Sequence, residues 1–121
     1  MRQSPNPNDM VVWINVAKVD ASWQRDATYY VGLNGTCAPG GSGSKKKYDR
    51  FGAWIKHHSC VWMPHLGIGD LGIIEFTEGR HRFAWLRDHG LKAMPVTTSP
   101  AQEAELWRGF GTRSRASRLK I

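Results

Sequence analysis

The chain is poor in every feature that marks a secreted or membrane-embedded protein. Its 121 residues hold only two cysteines, Cys37 and Cys60, far apart and in no C-x-x-C pattern. Neither a disulfide framework nor a zinc site is written there, and both are expected as reduced thiols. His57, His58 and His65 stand near Cys60, but their spacing matches no metal motif. No apolar run approaches the roughly 20 residues a membrane helix needs, which excludes membrane insertion. The opening MRQSPNPNDM lacks the apolar centre of a signal peptide. The expected compartment is the cytoplasm. Internal repeats are missing, and acidic residues are few: ten against seventeen Lys plus Arg, a net charge of +7.

What is present is a folded, basic chain. Its 40% hydrophobic and 11% aromatic content belongs to a globular domain rather than a disordered one. A chain of this length forms one domain that buries about two thirds of its unfolded surface. The positive excess gathers at Lys45-Lys46-Lys47, at Arg80 to Arg87 and at Arg108 to Lys120. Such a surface favours polyanions through phosphate contacts and counterion release, although a merely solvated basic face has the same composition. The six tryptophans exceed what so small a core buries, which points to one or two of them on a partner surface.

Residues 1–10, with two prolines and two asparagines, read as a loose lead-in, 11–112 as the domain and 113–121 as a basic tail. Strands are expected at 11–16 and 28–32, where β-branched and aromatic residues dominate. GTCAPGGSGS at 35–44 is a mobile loop by composition. Over 46–58, Tyr48, Phe51, Trp54 and Ile55 recur at helical spacing, with Lys46, Lys47, Asp49, Arg50 and Lys56 opposite. Residues 59–70 read as a connection, with 61–63 a candidate short strand. A strand at 71–76 leads to a helix ending at His89, where Gly90 suits a left-handed cap. Residues 93–97 form a short strand whose Pro95 belongs at its start or on a sheet edge. Ser99, Pro100 and Gln102 then suggest a capping box for a helix to about Trp107. The expected fold is a single α+β domain: a small mixed sheet with about three helices.

The most informative stretch is FTEGRHRFAWLRDHG at 76–90, where a strand empties into Glu78-Gly79-Arg80-His81-Arg82 as a helix begins. The first N–H groups of a helix have no internal partner, and the macrodipole places partial positive charge there. Three basic side chains add to it. A phosphate-bearing guest is the reading this supports, although a single glycine is a weak motif by itself.

These residues carry a family resemblance. Strand, acidic residue, Gly-Arg-His-Arg, helix, glycine and a short strand with Met-Pro-Val look like the nucleotide-binding core of the ParB and sulfiredoxin superfamily. Gly79, His81 and Arg82 match sulfiredoxin's Gly-Cys-His-Arg. Arg80 replaces the catalytic cysteine, which excludes sulfinic acid reduction and leaves phosphate binding intact. The chain more closely resembles the plasmid fertility inhibition factors, through KYDRFGAWI at 47–55, FTEGRHRFAWLRDHGLKAMPV at 76–96, Gly109-Phe110-Gly111-Thr112 and Tyr30-Val31-Gly32. The resemblance implies a ParB/sulfiredoxin-like fold in a bacterial, plasmid-encoded protein that suppresses conjugative transfer. It also implies hydrolysis of ATP or another nucleotide, and cleavage of DNA.

On the matched residues, Gly79 lets backbone approach phosphate, and His81 and Arg82 donate charge-assisted hydrogen bonds to it. Glu78 is the candidate to hold Mg²⁺ or orient an attacking water, against the plainer role of a helix-start acid. Arg80 is the candidate to neutralise transition-state charge. Arg87, two turns on, extends the basic patch, and Lys45, Lys46 and Lys47 form a DNA contact or phosphate lid beside the Gly/Ser loop. The expected partners are nucleotide and DNA. Three functions remain open: a hydrolytic inhibitor, a non-catalytic inhibitor of a conjugation or type IV secretion component, and a ParB-like DNA-binding module.

Overall fold

A computed structural model describes residues 1–2, 6–58 and 60–115. The tail expected over 113–121 therefore lies mostly outside the described residues. In chain order the elements are β1 (Met10–Asn15), α1 (Val16–Trp23), α2 (Lys45–Ile55), β2 (His65–Ile68), β3 (Ile74–Glu78), α3 (Arg80–Asp88), β4 (Ala93–Thr98) and α4 (Glu103–Phe110), with single 3-10 turns at 33–35, 70–72 and 100–102. The strands form one four-stranded mixed sheet in the order β1-β4-β2-β3. β1 pairs antiparallel with β4 and β2 antiparallel with β3, while β2 meets β4 in parallel at His65 and Thr97. The domain is α+β, as its residue pattern leads one to expect, with four helices among the described residues rather than about three.

Helix α1 is the unforeseen element. Asn15 ends β1 and caps the helix, its side chain accepting from Lys18 N at 3.0 Å. Val16, Val19 and Trp23 then fall on the buried face. Trp23 centres the aromatic core, with Tyr30, Phe76 and Phe83 at centroid distances of 4.8, 4.5 and 5.7 Å. Its burial explains why residues 28–32 form no strand. Tyr30 packs edge-on against Trp23, Val31 is buried beside it, and the β-forming side chains are satisfied as a loop.

Other boundaries move for local reasons. Residues 65–68 are a strand, not a connection, because Leu66 is fully buried and Ile68 is clamped at both backbone groups by Gln102. That clamp replaces the expected capping box: Ser99 makes no side-chain cap, and Gln102 reaches the sheet instead. The strand expected from residue 71 starts at Ile74, since Leu71 sits in a turn at φ 63.

Pro95 lies in β4, an interior strand, and not at an edge. Thr97 N donates toward the β2 side, to Pro64 O at 2.9 Å. Pro95, two residues earlier, faces the same side where β2 has not yet begun, so its missing N–H costs no ladder bond. Gly90 behaves as expected. At φ 93, its N–H bonds to Arg87 O and the next N–H, from Leu91, to Leu86 O, which is a Schellman termination.

Candidate functional site

β3 runs out at Glu78, and the chain turns through Gly79 at φ 84, ψ 19 directly into α3. A Cβ at Gly79 would lie 2.7 Å from Arg82 Nη2 and 3.0 Å from Pro64 Cα, so glycine is required both by conformation and by space. The same measurement lays the Arg82 guanidinium over the turn. Phe83, Ala84, Trp85 and Leu86 bury the far face of α3 and hold its N-terminus in place.

A second helix start meets the first. Ser44 caps α2 with its hydroxyl, accepting from Lys47 N at 3.2 Å, while its own N–H donates to His81 Nε2 at 2.9 Å. Two positive dipole ends therefore converge on one place. Lys45, Lys46 and Lys47 occupy the first turn of α2, where cations are unfavourable unless an anion offsets them. Between the two helix starts and β3 opens a cleft of about 720 Å³, on whose walls lie Lys47, Arg50, Arg80 and Arg82 together with Glu78 and a set of aromatic rings. Its volume is that of a small-molecule site.

The expected site residues have distinct fates. Arg80 spans the mouth and ties the Gly/Ser loop down, donating to Tyr29 O at 3.1 Å, Ser42 Oγ at 3.3 Å and Ser42 O at 2.9 Å, and lying over the Tyr29 ring. The loop expected to be mobile is thus strapped to α3. His81 is half-buried, and burial first, then Arg80 and Lys47, lower its pKa to about 4. It stands there as a neutral acceptor for Ser44 N–H.

The Arg82 guanidinium makes no hydrogen bond to any described residue. Its Nε is buried and has no partner. Burial lowers its pKa, and only the charge of Glu78 opposes that. Glu78 is exposed at the cleft mouth. Among the described residues no three His, Cys, Asp or Glu side chains gather to hold a metal ion. Glu78 therefore fits Mg²⁺ only as one ligand beside phosphate oxygens and water, which is how Mg²⁺ is commonly held.

Arg87, expected to extend the patch, belongs to the interior. Its guanidinium pairs with Asp20 and with Asp88 at 2.9 Å each and donates to Val31 O at 2.7 Å. Burial alone would lower its pKa, but the bonds to Asp88 and Asp20 outweigh this and raise it. Asp88 in turn accepts from Tyr48 Oη at 2.6 Å and Asn34 N at 3.0 Å, which locks α3 to α2 and to the 33–35 turn. Burial, followed by the bond to Asp88, raises the Tyr48 pKa. Of the three lysines, Lys45 is engaged with Asn34 O and Asp49, Lys46 is exposed, and Lys47 lines the cleft.

Arg50, Tyr29, Trp54 and Trp62 are the cleft residues that sequence reasoning did not assign. Arg50 falls on the polar side of the α2 pattern and looks solvated. The tryptophans were signalled only collectively, by their number.

No family model and no curated protein matches the sequence. Among solved structures, the chain is similar to the crystal structure of Oncogenic Suppression Activity Protein, a plasmid fertility inhibition factor, with a TM-score of 0.62 over 98% of this chain at 19% identity. The two share a fold. The chain spans 63% of that protein's length. At this identity the relation is a distant structural one.

Proposed function

We propose that this chain is a fertility inhibition factor whose cleft between the starts of α2 and α3 binds a phosphate-bearing ligand, a nucleotide or a stretch of nucleic acid. The observation that carries the reading is Arg82, a half-buried guanidinium with an orphan Nε beside a left-handed glycine and two converging helix starts. A buried cation with open donors costs free energy unless an anion satisfies it. The distant fold similarity to a plasmid fertility inhibition factor supports the biological role. Arg82 and the backbone at 79–82 would grip phosphate, with Lys47 and Arg50 offsetting its remaining charge.

Glu78 is the residue on which hydrolysis would depend. Glu78 would be the protein ligand of a Mg²⁺ ion, which when bound would supply polarisation of a phosphoryl group. The carboxylate orients a water at the cleft mouth, while Arg80, if released from Ser42, neutralises developing charge. A second reading, inhibition by binding alone, is favoured by the solitary carboxylate: phosphodiester hydrolases commonly hold metal with several.

The test is a titration of the chain with ATP, CTP and inorganic phosphate, with and without Mg²⁺, following the backbone amides of 78–82. Arg82→Ala is expected to abolish the shifts. Absence of shifts with every ligand overturns the phosphate reading. Glu78→Ala separates the two modes. If it removes hydrolysis and nicking and leaves conjugation blocked, inhibition is a binding function.

A further inference from the structure

The phosphate cleft shares a wall with a neighbour. Trp54 and Trp62 line both the 720 Å³ cleft and a smaller one of about 270 Å³, completed by Arg2, His58, Cys60 and Val61. Both indoles are substantially exposed, at 39% and 43%. Each is braced on a face. The His58 ring stacks on Trp54 at 3.9 Å with planes 10° apart, and the Arg2 guanidinium lies 5.4 Å from the centre of the Trp62 ring. Rings left in water but held in orientation form a platform for flat π ligands, because every nucleobase offers a stacking face. The cations bracket this platform. Arg50 and Arg82 stand in the larger cleft on one side of the tryptophans, and Arg2 stands in the smaller cleft on the other. In a nucleic acid strand each base-bearing sugar lies between two phosphates, and a free mononucleotide offers only one of them. A paired duplex is excluded from this platform, since its bases are stacked on one another and must be extruded to reach a side chain.

We infer that the smaller cleft is a nucleobase subsite, and that the ligand of the whole site is a single-stranded nucleic acid that sets one phosphate at Arg82 and stacks the adjoining base on Trp54 and Trp62. The inference rests on the phosphate reading above. It adds a length requirement which that reading does not have.

The test uses the full chain and thymidylate probes of one, two, four and eight nucleotides at fixed salt, read by fluorescence anisotropy and by tryptophan quenching. The tetranucleotide is expected to bind at least tenfold more tightly than the mononucleotide, about 1.4 kcal/mol, and to quench tryptophan emission. Trp62→Ala, at an exposed position, is expected to weaken every thymidylate probe and to reduce the quenching. Arg2→Ser is expected to weaken the longer probes alone.

Equal affinity for all lengths, an inert Trp62→Ala, or a blunt duplex binding as well as the octanucleotide would each overturn the subsite. The phosphate cleft would still stand if Arg82→Ala abolished binding of every probe. If no probe binds and Arg82→Ala changes nothing, the phosphate reading falls and this inference falls with it.

Discussion

Arg82 and Arg87 lie five positions apart on one helix and do opposite things. Arg87 is paired with Asp20 and Asp88 and donates to a backbone carbonyl, with its Nη2 alone left without a partner among the described residues. Arg87→Ala leaves Asp88, whose side chain is only 4% exposed, without its cation. Removal of one partner of a buried pair is expected to cost about 3–5 kcal/mol in urea denaturation, with ligand affinity of the folded fraction unchanged. Nothing in GRHRFAWLRD separates the two arginines. The distinction comes from Asp20, which α1 delivers from a distant part of the chain, and α1 itself was not read from the sequence. His81 carries a prediction with a definite sign. Its folded pKa of about 4 lies below the unfolded value near 6.5, so between these values the unfolded chain binds more protons. Stability is therefore flat above about pH 6.5 and falls as pH drops from there through 4. His81→Gln, which keeps an acceptor for Ser44 N–H, is expected to show a smaller drop in urea midpoint between pH 7.5 and 5. Equal drops in the two proteins would show that His81 is not the titrating group.

At the scale of elements, α2 and α3 approach closely because Gly52 has no side chain. A Cβ there would run into Trp85 Nε1. Alanine is favoured over glycine in a helix by about 1 kcal/mol, but Trp85 is buried and has no room to withdraw. Gly52→Ala is expected to lower stability by about 1–3 kcal/mol through overpacking. A more stable variant would refute the close approach. Both helices were legible in the sequence, because their period, the Gly79 turn and the Gly90 stop are local signals. The strands were less so. Residues 28–32 have strand-forming side chains but pack around Trp23. β2 is four residues long, with two glycines near its end. Pro95 is permitted in an interior strand only by where β2 happens to begin. Each of these depends on a partner remote in sequence, which composition does not encode. The cleft divides in the same way. Its floor, 78–82, is one continuous motif, whereas Trp54 and Trp62 join it through the packing of α2 and the chain before β2.

For the whole molecule, a net charge of +7 would make the proposed association with nucleic acid strongly dependent on salt. Log affinity for the octanucleotide is expected to fall linearly with log salt, by about 0.7 for each phosphate neutralised on a single strand. Arg50→Ala, which removes one cation from the cleft wall, is expected to shallow that slope, and Arg87→Ala to leave it alone. A slope of zero would mean that the basic cleft does not meet phosphate. The sheet itself has a further property. Its two antiparallel pairs, β1 with β4 and β2 with β3, are joined at the single parallel pair of His65 and Thr97, reinforced by the bond from Thr97 N to Pro64 O. Within the sheet, tension applied at the Glu78-Gly79 turn reaches β4 across this one seam. A strand pulled through the cleft would thus load a sheet with a predetermined line of parting, and the amide of Thr97 is where slow proton exchange should first quicken.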